Sequence, residues 1–254
     1  MKILLLLFIL PAAGFAQKTV TAASIIASVN KNEQVNLSGV QVTGELDFTR
    51  LDNMKAESKN SSDNVYISTV NSAISFNNCS FTGKVLGYFN PDIGKPFSKN
   101  SNSVYNANFT ADVSFENCTF EKEVAFKYSV FSAKTSFAGS KFNDDAVFKY
   151  ANFEQGPKFT GSIFKITPEF KYVEFPAGFD FSNAVFNGGA DFKYAKFMKT
   201  GSFASAKFTN GSDFKYAAFS SSVNLKGASF NGSNDFKYTT LDDQTTTISE
   251  LVNN

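Results

Sequence analysis

The sequence predicts an all-β solenoid, a chain wound into short stacked strands, and three observations carry that reading. Between Phe109 and Leu241 a large apolar residue returns at alternating steps of five and six: Phe109, Phe115, Phe120, Phe126, Phe131, Phe137 and onward, with Phe at every position except Leu225 and Leu241. The tripeptide Phe-Lys-Tyr begins at 126, 148, 170, 192, 214 and 236, always 22 residues apart, so the unit is 22 residues made of four short segments. Two residues before most of these Phe stands something small, as at Ala107, Cys118, Ser140, Ala146 and Ala195, which in a strand puts the small residue and the ring on one inward side. A unit this short cannot bury its own apolar face and must stack on its neighbours. A helix is excluded because steps of five and six scatter the rings over two helix faces, and the intervening Gly, Asn and Thr are poor helix formers.

The elements follow in order. Met1-Lys2, the apolar run Ile3 to Leu10 and the small-residue exit Pro-Ala-Ala-Gly-Phe-Ala read as a signal peptide over 1–16, cleaved after Ala16 to leave Gln17. That run is too short to cross a bilayer comfortably, no second apolar run of about 18 residues follows, and no Cys stands at the cleavage site to take a lipid. The expectation is an exported, periplasmic or extracellular protein without a transmembrane segment in its mature chain. Residues 17–33 are predicted as a helical cap, with Ile25, Ile26 and Val29 on one side and Thr21 as N-cap, because an open solenoid end exposes apolar side chains and unpaired backbone. The solenoid spans 34–242, its first coil carried by Leu37, Val42 and Phe48 and its second by Val70, Phe76 and Phe81. Two long interruptions, about 51–66 and 86–103, leave at about the same corner; the second carries aromatics and prolines that could pack or recognise a partner, with packing on the solenoid wall the favoured expectation. Residues 243–254 are a C-terminal tail or weak cap.

Segments such as Ala195-Lys196-Phe197-Met198-Lys199, Ala206-Lys207-Phe208-Thr209-Asn210 and Ala217-Ala218-Phe219-Ser220-Ser221 give this chain its resemblance to the pentapeptide-repeat family: a small residue, any residue, a central Leu or Phe, and two more. The resemblance covers about residues 34–242 and implies a right-handed, four-sided parallel β-helix with the central residues stacked inside. The departure is a sixth residue in every second segment, which makes the coil longer than the family's usual one.

Composition narrows function mainly by exclusion. Lys plus Arg number 24 against 23 acids, and loss of Lys2 with the signal peptide balances them, so neither the basic excess of a nucleic-acid binder nor the acidic excess of a DNA mimic is present. The chain has no His, which removes the commonest general base and metal ligand. No phosphate loop, zinc spacing or calcium loop occurs, so no catalytic residue, metal or cofactor is assigned, and Asp144-Asp145 and Asp242-Asp243 read as solvated corners.

Two constellations remain. Cys79 and Cys118 stand in the duplicated motif Phe-Asn-Asn-Cys-Ser-Phe and Phe-Glu-Asn-Cys-Thr-Phe; counting faces puts them one above the other on adjacent coils, either as stacked free thiols or as a disulfide. Lys127, Lys149, Lys171, Lys193, Lys215 and Lys237 should form one outward row, and Tyr128, Tyr150, Tyr172, Tyr194, Tyr216 and Tyr238 a second at the adjoining corner. These rows read either as a surface for an anionic polymer or sugar rings, or as a self-neutralising wall in which Glu169, Asp191, Asp213 and Asp235, with Glu123 and Asp145 two places earlier in other coils, offset the lysines. The leading functional expectation is a non-catalytic scaffold or binding surface for a protein or cell-envelope polymer. A polysaccharide-acting enzyme is the alternative from another class, and a DNA-mimicking topoisomerase inhibitor, which some relatives in that family resemble, is disfavoured by balanced charge and export.

Overall fold

The computed structural model describes residues 17–57, 64–92 and 103–253; the expected signal peptide lies outside the described residues. The fold is a parallel β-helix whose short strands stack in four ladders, two of them continued across some coils only by isolated bridges such as Ser136 to Lys158 and Val147 to Glu169. One full coil shows the arrangement: its segments are centred on Phe115, Phe120, Phe126 and Phe131, here called the first to fourth faces, and each pairs in parallel register with the segment 22 residues on, as Phe120 with Phe142 and Phe131 with Phe153. The backbone alternates in direction. Central Phe amides of the first and third faces donate to the following coil, as Phe126 N to Val147 O at 2.7 Å, whereas amides beside the central Phe of the second and fourth donate to the preceding one, as Lys141 N to Cys118 O at 2.8 Å.

Inside, the rings form four columns. Successive rings of the second face lie 4.9, 4.7, 5.1 and 4.5 Å apart from Phe120 through Phe208, nearly parallel. Between columns they meet edge to face, as Phe148 with Phe159 and Phe170 with Phe181, both at 5.3 Å and 83°. Every Phe from Phe109 to Phe219 is buried. Burial of each ring is worth roughly 2–3 kcal/mol and each well-placed pair about 0.5–1.5 kcal/mol more, so the columns supply most of the cohesion between coils. The small residue two places earlier tucks beside the ring, and on several coils its hydroxyl donates inward to the backbone: Ser140 to Phe115 O, Ser162 to Phe137 O and Thr239 to Phe214 O, at 2.7 to 2.8 Å.

The N-terminal end is closed by helix α1 (Ala22–Asn30), whose N-cap Thr21 accepts from Ser24 N and which buries Ala22, Ile25 and Val29. The sequence reading missed the strand Lys18–Thr21 before it, which pairs in parallel with Val40–Thr43 and heads the second face. At the other end the strand Gln244–Thr245 folds back antiparallel on Thr240–Leu241, and helix α2 (Ile248–Asn253) sets Leu251 into the core. Phe230 and Phe236, in the last coil, are only partly buried.

The two interruptions are not plain loops. The strand Lys55–Glu57 pairs antiparallel with Asn64–Val70, and Tyr88–Phe89 with Ser103–Phe109, while the two long strands pair in parallel over Asn64–Val70 and Ser103–Phe109. The result is a sheet that extends the fourth face sideways. Residues 58–63 and 93–102 lie outside the described residues.

Candidate functional site

The third face carries the regular exterior. In each segment the Phe points in, so the residues on either side point out. Asp191, Asp213 and Asp235 each accept from the backbone amide two residues on, at Lys193, Lys215 and Lys237, with distances of 3.3, 3.1 and 2.9 Å. The second carboxylate oxygen of each takes the ammonium of the preceding coil: Lys171 to Asp191 at 2.7 Å, Lys193 to Asp213 at 2.8 Å and Lys215 to Asp235 at 3.0 Å. Hydrogen bonding to the carboxylate raises the pKa of all three lysines, and Asp235 is held low by its bonds from the Lys237 amide and the Lys215 ammonium.

The row is therefore divided. Lys171, Lys193 and Lys215 are neutralised between coils, while the ammonium groups of Lys127, Lys149 and Lys237 lie 4.9, 5.3 and 4.9 Å from the ring centroids of the adjoining Tyr128, Tyr150 and Tyr238. The expected part of Glu123 is corrected: its carboxylate pairs with Lys84 at 2.7 Å, across the corner between second and third faces. Burial, with the neighbouring Asp144 and Glu123, raises the pKa of Asp145.

Tyr128, Tyr150, Tyr172, Tyr194, Tyr216 and Tyr238 turn the corner into the fourth face, each at a φ of 57 to 62°. A bulky side chain in that left-handed region costs of order 1–3 kcal/mol. The opposing five-residue corner, between first and second faces, needs the same backbone turn and fills it with Asn117, Gly139, Gly161, Asn183, Ser205 and Gly227. Tyrosine is thus kept for its ring. The six rings stack at 5.0, 4.6, 4.7, 4.8 and 4.8 Å, within 19° of parallel, and remain 37 to 51% exposed. Their faces are turned to one another, so the ladder offers a partner ring edges and hydroxyls, and the ring-face stacking of sugars considered from the sequence has no open face inside it.

Upstream, register sets Phe48-Thr49-Arg50 and Gly87-Tyr88-Phe89 at the places of Phe126-Lys127-Tyr128. Arg50 holds its guanidinium 4.6 Å from the Phe89 ring centroid and 5.2 Å from that of Tyr105, which itself stacks on Tyr66 at 5.0 Å. Leu86, Tyr88 and Ala125 form a small second core with Phe89, Val104 and Val147, so part of the second interruption does pack on the wall. Nothing in the repeat pattern of the sequence signals Arg50.

Cys79 and Cys118 are free and buried, in adjacent coils of the second face. Each thiol points at backbone oxygens, Cys79 Sγ to Asn77 O and Cys118 Sγ to Glu116 O, both at 3.3 Å, and burial pushes the Cys118 pKa up to about 12.

A groove of about 1090 Å³ runs along the corner between the fourth and first faces, a feature that the sequence reading did not single out. Its rim alternates acids and lysines, with Glu116, Glu154, Glu174, Lys134, Lys158 and Lys199 prominent. Among the described residues no group of three His, Cys, Asp or Glu is placed to hold a metal, and no helix is long and apolar enough to cross a membrane. A family model described as pentapeptide repeats (9 copies) matches residues 105–152. No curated protein and no solved structure matches the chain.

Proposed function

We propose that the chain, whose residues 105–152 match the pentapeptide-repeat family, is an exported, non-catalytic solenoid serving as a scaffold or binding surface for a protein or cell-envelope polymer. The carrying observation is the tyrosine ladder: six consecutive coils accept left-handed strain to keep one exposed aromatic column in register. A rigid rod whose outer groups repeat at every coil suits a partner that is itself extended and periodic, because many weak contacts then add along one axis. The opening Met1-Lys2, apolar run and Ala16 support export, and an exported surface would meet envelope material.

Fractionation with N-terminal sequencing, together with co-sedimentation on purified envelope polymer and a glycan array, tests this reading. A mature protein beginning at Gln17 that is retained on envelope material or glycan is the expected result. Retention of Met1 in the cytosol, or absence of binding in every format, overturns it. A Lys149→Glu, Lys171→Glu, Lys193→Glu variant that binds like wild type removes the lysine row from the surface used.

A further inference from the structure

Three lysines of the third face are neutralised by aspartates and the tyrosine rings turn their faces to one another, whereas the groove between the fourth and first faces is open. We propose that this groove is the binding site for an extended glycan built of β-linked pyranose rings; the proposal rests on the polymer-binding reading above and assigns it a site. Size is the first argument. At about 1090 Å³ the groove reaches the upper end of ligand sites, commonly ~300–1,000 Å³. It passes Asp112, Lys134, Gly156, Gly178 and Lys199, the same corner on successive coils, which at ~4.8 Å per coil gives a length of roughly 19 Å.

Periodicity is the second. One wall repeats Ser114, Ser136 and Lys158 on the first face, and the other carries Asn152 and Glu174 at paired positions on the fourth, so polar groups recur from coil to coil. A β-linked pyranose joined through opposite ring carbons advances its chain by about one coil spacing with alternate rings turned over, so every second ring can meet an equivalent set of groups two coils on. An extended peptide advances only ~3.3 Å per residue and falls out of phase.

Lining chemistry is the third. Carboxylates and amides accept and donate to sugar hydroxyls, while Pro176 and the half-exposed Met198 offer apolar surface to ring C–H groups. Acids and lysines are mixed along the rim, which fits a neutral or amino sugar better than a polyanion.

The test uses the full mature chain with chitohexaose and cellohexaose, and their trisaccharides, in titration calorimetry. Asn152→Trp and Glu154→Trp put an indole into the groove from exposed positions, and Lys165→Trp, at the opposite corner, is the control; circular dichroism checks that all three fold. At least one hexasaccharide should bind the wild type and the control equally, about tenfold more weakly as the trisaccharide, and about tenfold more weakly to either groove variant. Equal hexasaccharide binding by the groove variants overturns the proposal, as does a wild type that binds neither sugar yet still sediments with envelope polymer, in which case the broader function stands without this site. Failure to sediment as well removes both.

Discussion

Phe179 and Gly201 occupy the same inward position on consecutive coils, and the ring of the first leaves no room for a methyl group on the second: a Cβ at Gly201 would stand 2.0 Å from Phe179 Cε1. Elsewhere this first-face position holds Ile74, Val113, Thr135 and Val223, so Phe179 is oversized and Gly201 compensates. The ring fills the gap by packing on Phe175, Phe197 and Phe203 at 5.5, 5.4 and 5.7 Å. Gly201→Val alone should destabilise by about 2–4 kcal/mol through overpacking, and Phe179→Val in the same chain should recover most of that. Urea midpoints of the four proteins of the double-mutant cycle give the coupling, and additive effects would show that the two positions are independent.

A second expectation concerns the tyrosine corner. Tyr172 lies between Tyr150 and Tyr194 at 4.6 and 4.7 Å with φ at 60°. Tyr172→Ala loses both stacks and keeps the strained backbone, whereas Tyr172→Gly loses the stacks but relieves the strain. The stability order should be wild type, then Gly, then Ala, with Ala about 1–2 kcal/mol below wild type and Gly less affected. An Ala variant more stable than the Gly variant in thermal unfolding would remove the strain argument.

What the sequence made legible was whatever repeats. Phe120 announces its neighbours because the same packing problem is solved again 22 residues later, and the four columns, the tyrosine row and the stacked cysteines all follow from counting. Features set by a single coil were hidden. The partnership of Phe179 with Gly201, the seat of Arg50 on Phe89 and the strand Lys18–Thr21 each depend on contacts between residues that share no pattern. The lysines show the boundary most clearly: their outward direction follows from alternation, but that Lys171 reaches forward to Asp191 of the next coil depends on side-chain reach across the ladder. The groove is a property of corner shape and is invisible to periodicity altogether.

Lys171 and Asp191 set the scale of the surface electrostatics. Their side chains are 25% and 15% exposed, and the lysine pKa is raised chiefly by the hydrogen bond to that carboxylate. A raised lysine pKa favours the charged form in the fold, so the contribution is complete below the ordinary value of 10.5 and is lost as pH climbs through the raised one. Asp191→Asn should cost about 0.2–1 kcal/mol at neutral pH, and the difference from wild type should shrink in 1 M salt, where the screening length is about 3 Å. Urea titrations at pH 7 in low and high salt measure both; a difference that grows with salt contradicts the assignment.

Cys118 changes stability with pH in the same direction, but in a window that opens lower. Burial holds Cys118 protonated up to about 12 against an ordinary 9.0, so the folded chain retains a proton that the unfolded chain releases in between. Below 9 both states are protonated and the thiol adds no pH dependence; from there to about 12 the unfolded state gains by ionising, and stability must fall as pH rises. The same inward column is filled at Ser140, Ser162, Ala184 and Ala206, all buried, so Cys79→Ala and Cys118→Ala place a residue that the position already accepts on other coils. The double variant should fold, lose about 1–2 kcal/mol at neutral pH from the smaller side chains, and decline less steeply than wild type above pH 9. Native wild type should resist a thiol reagent at pH 8 and expose two reactive groups once unfolded without reductant. A denatured, unreduced chain showing no free thiol would mean that Cys79 and Cys118 are bonded, and an alkaline decline unchanged in the variant would mean that other groups cause it.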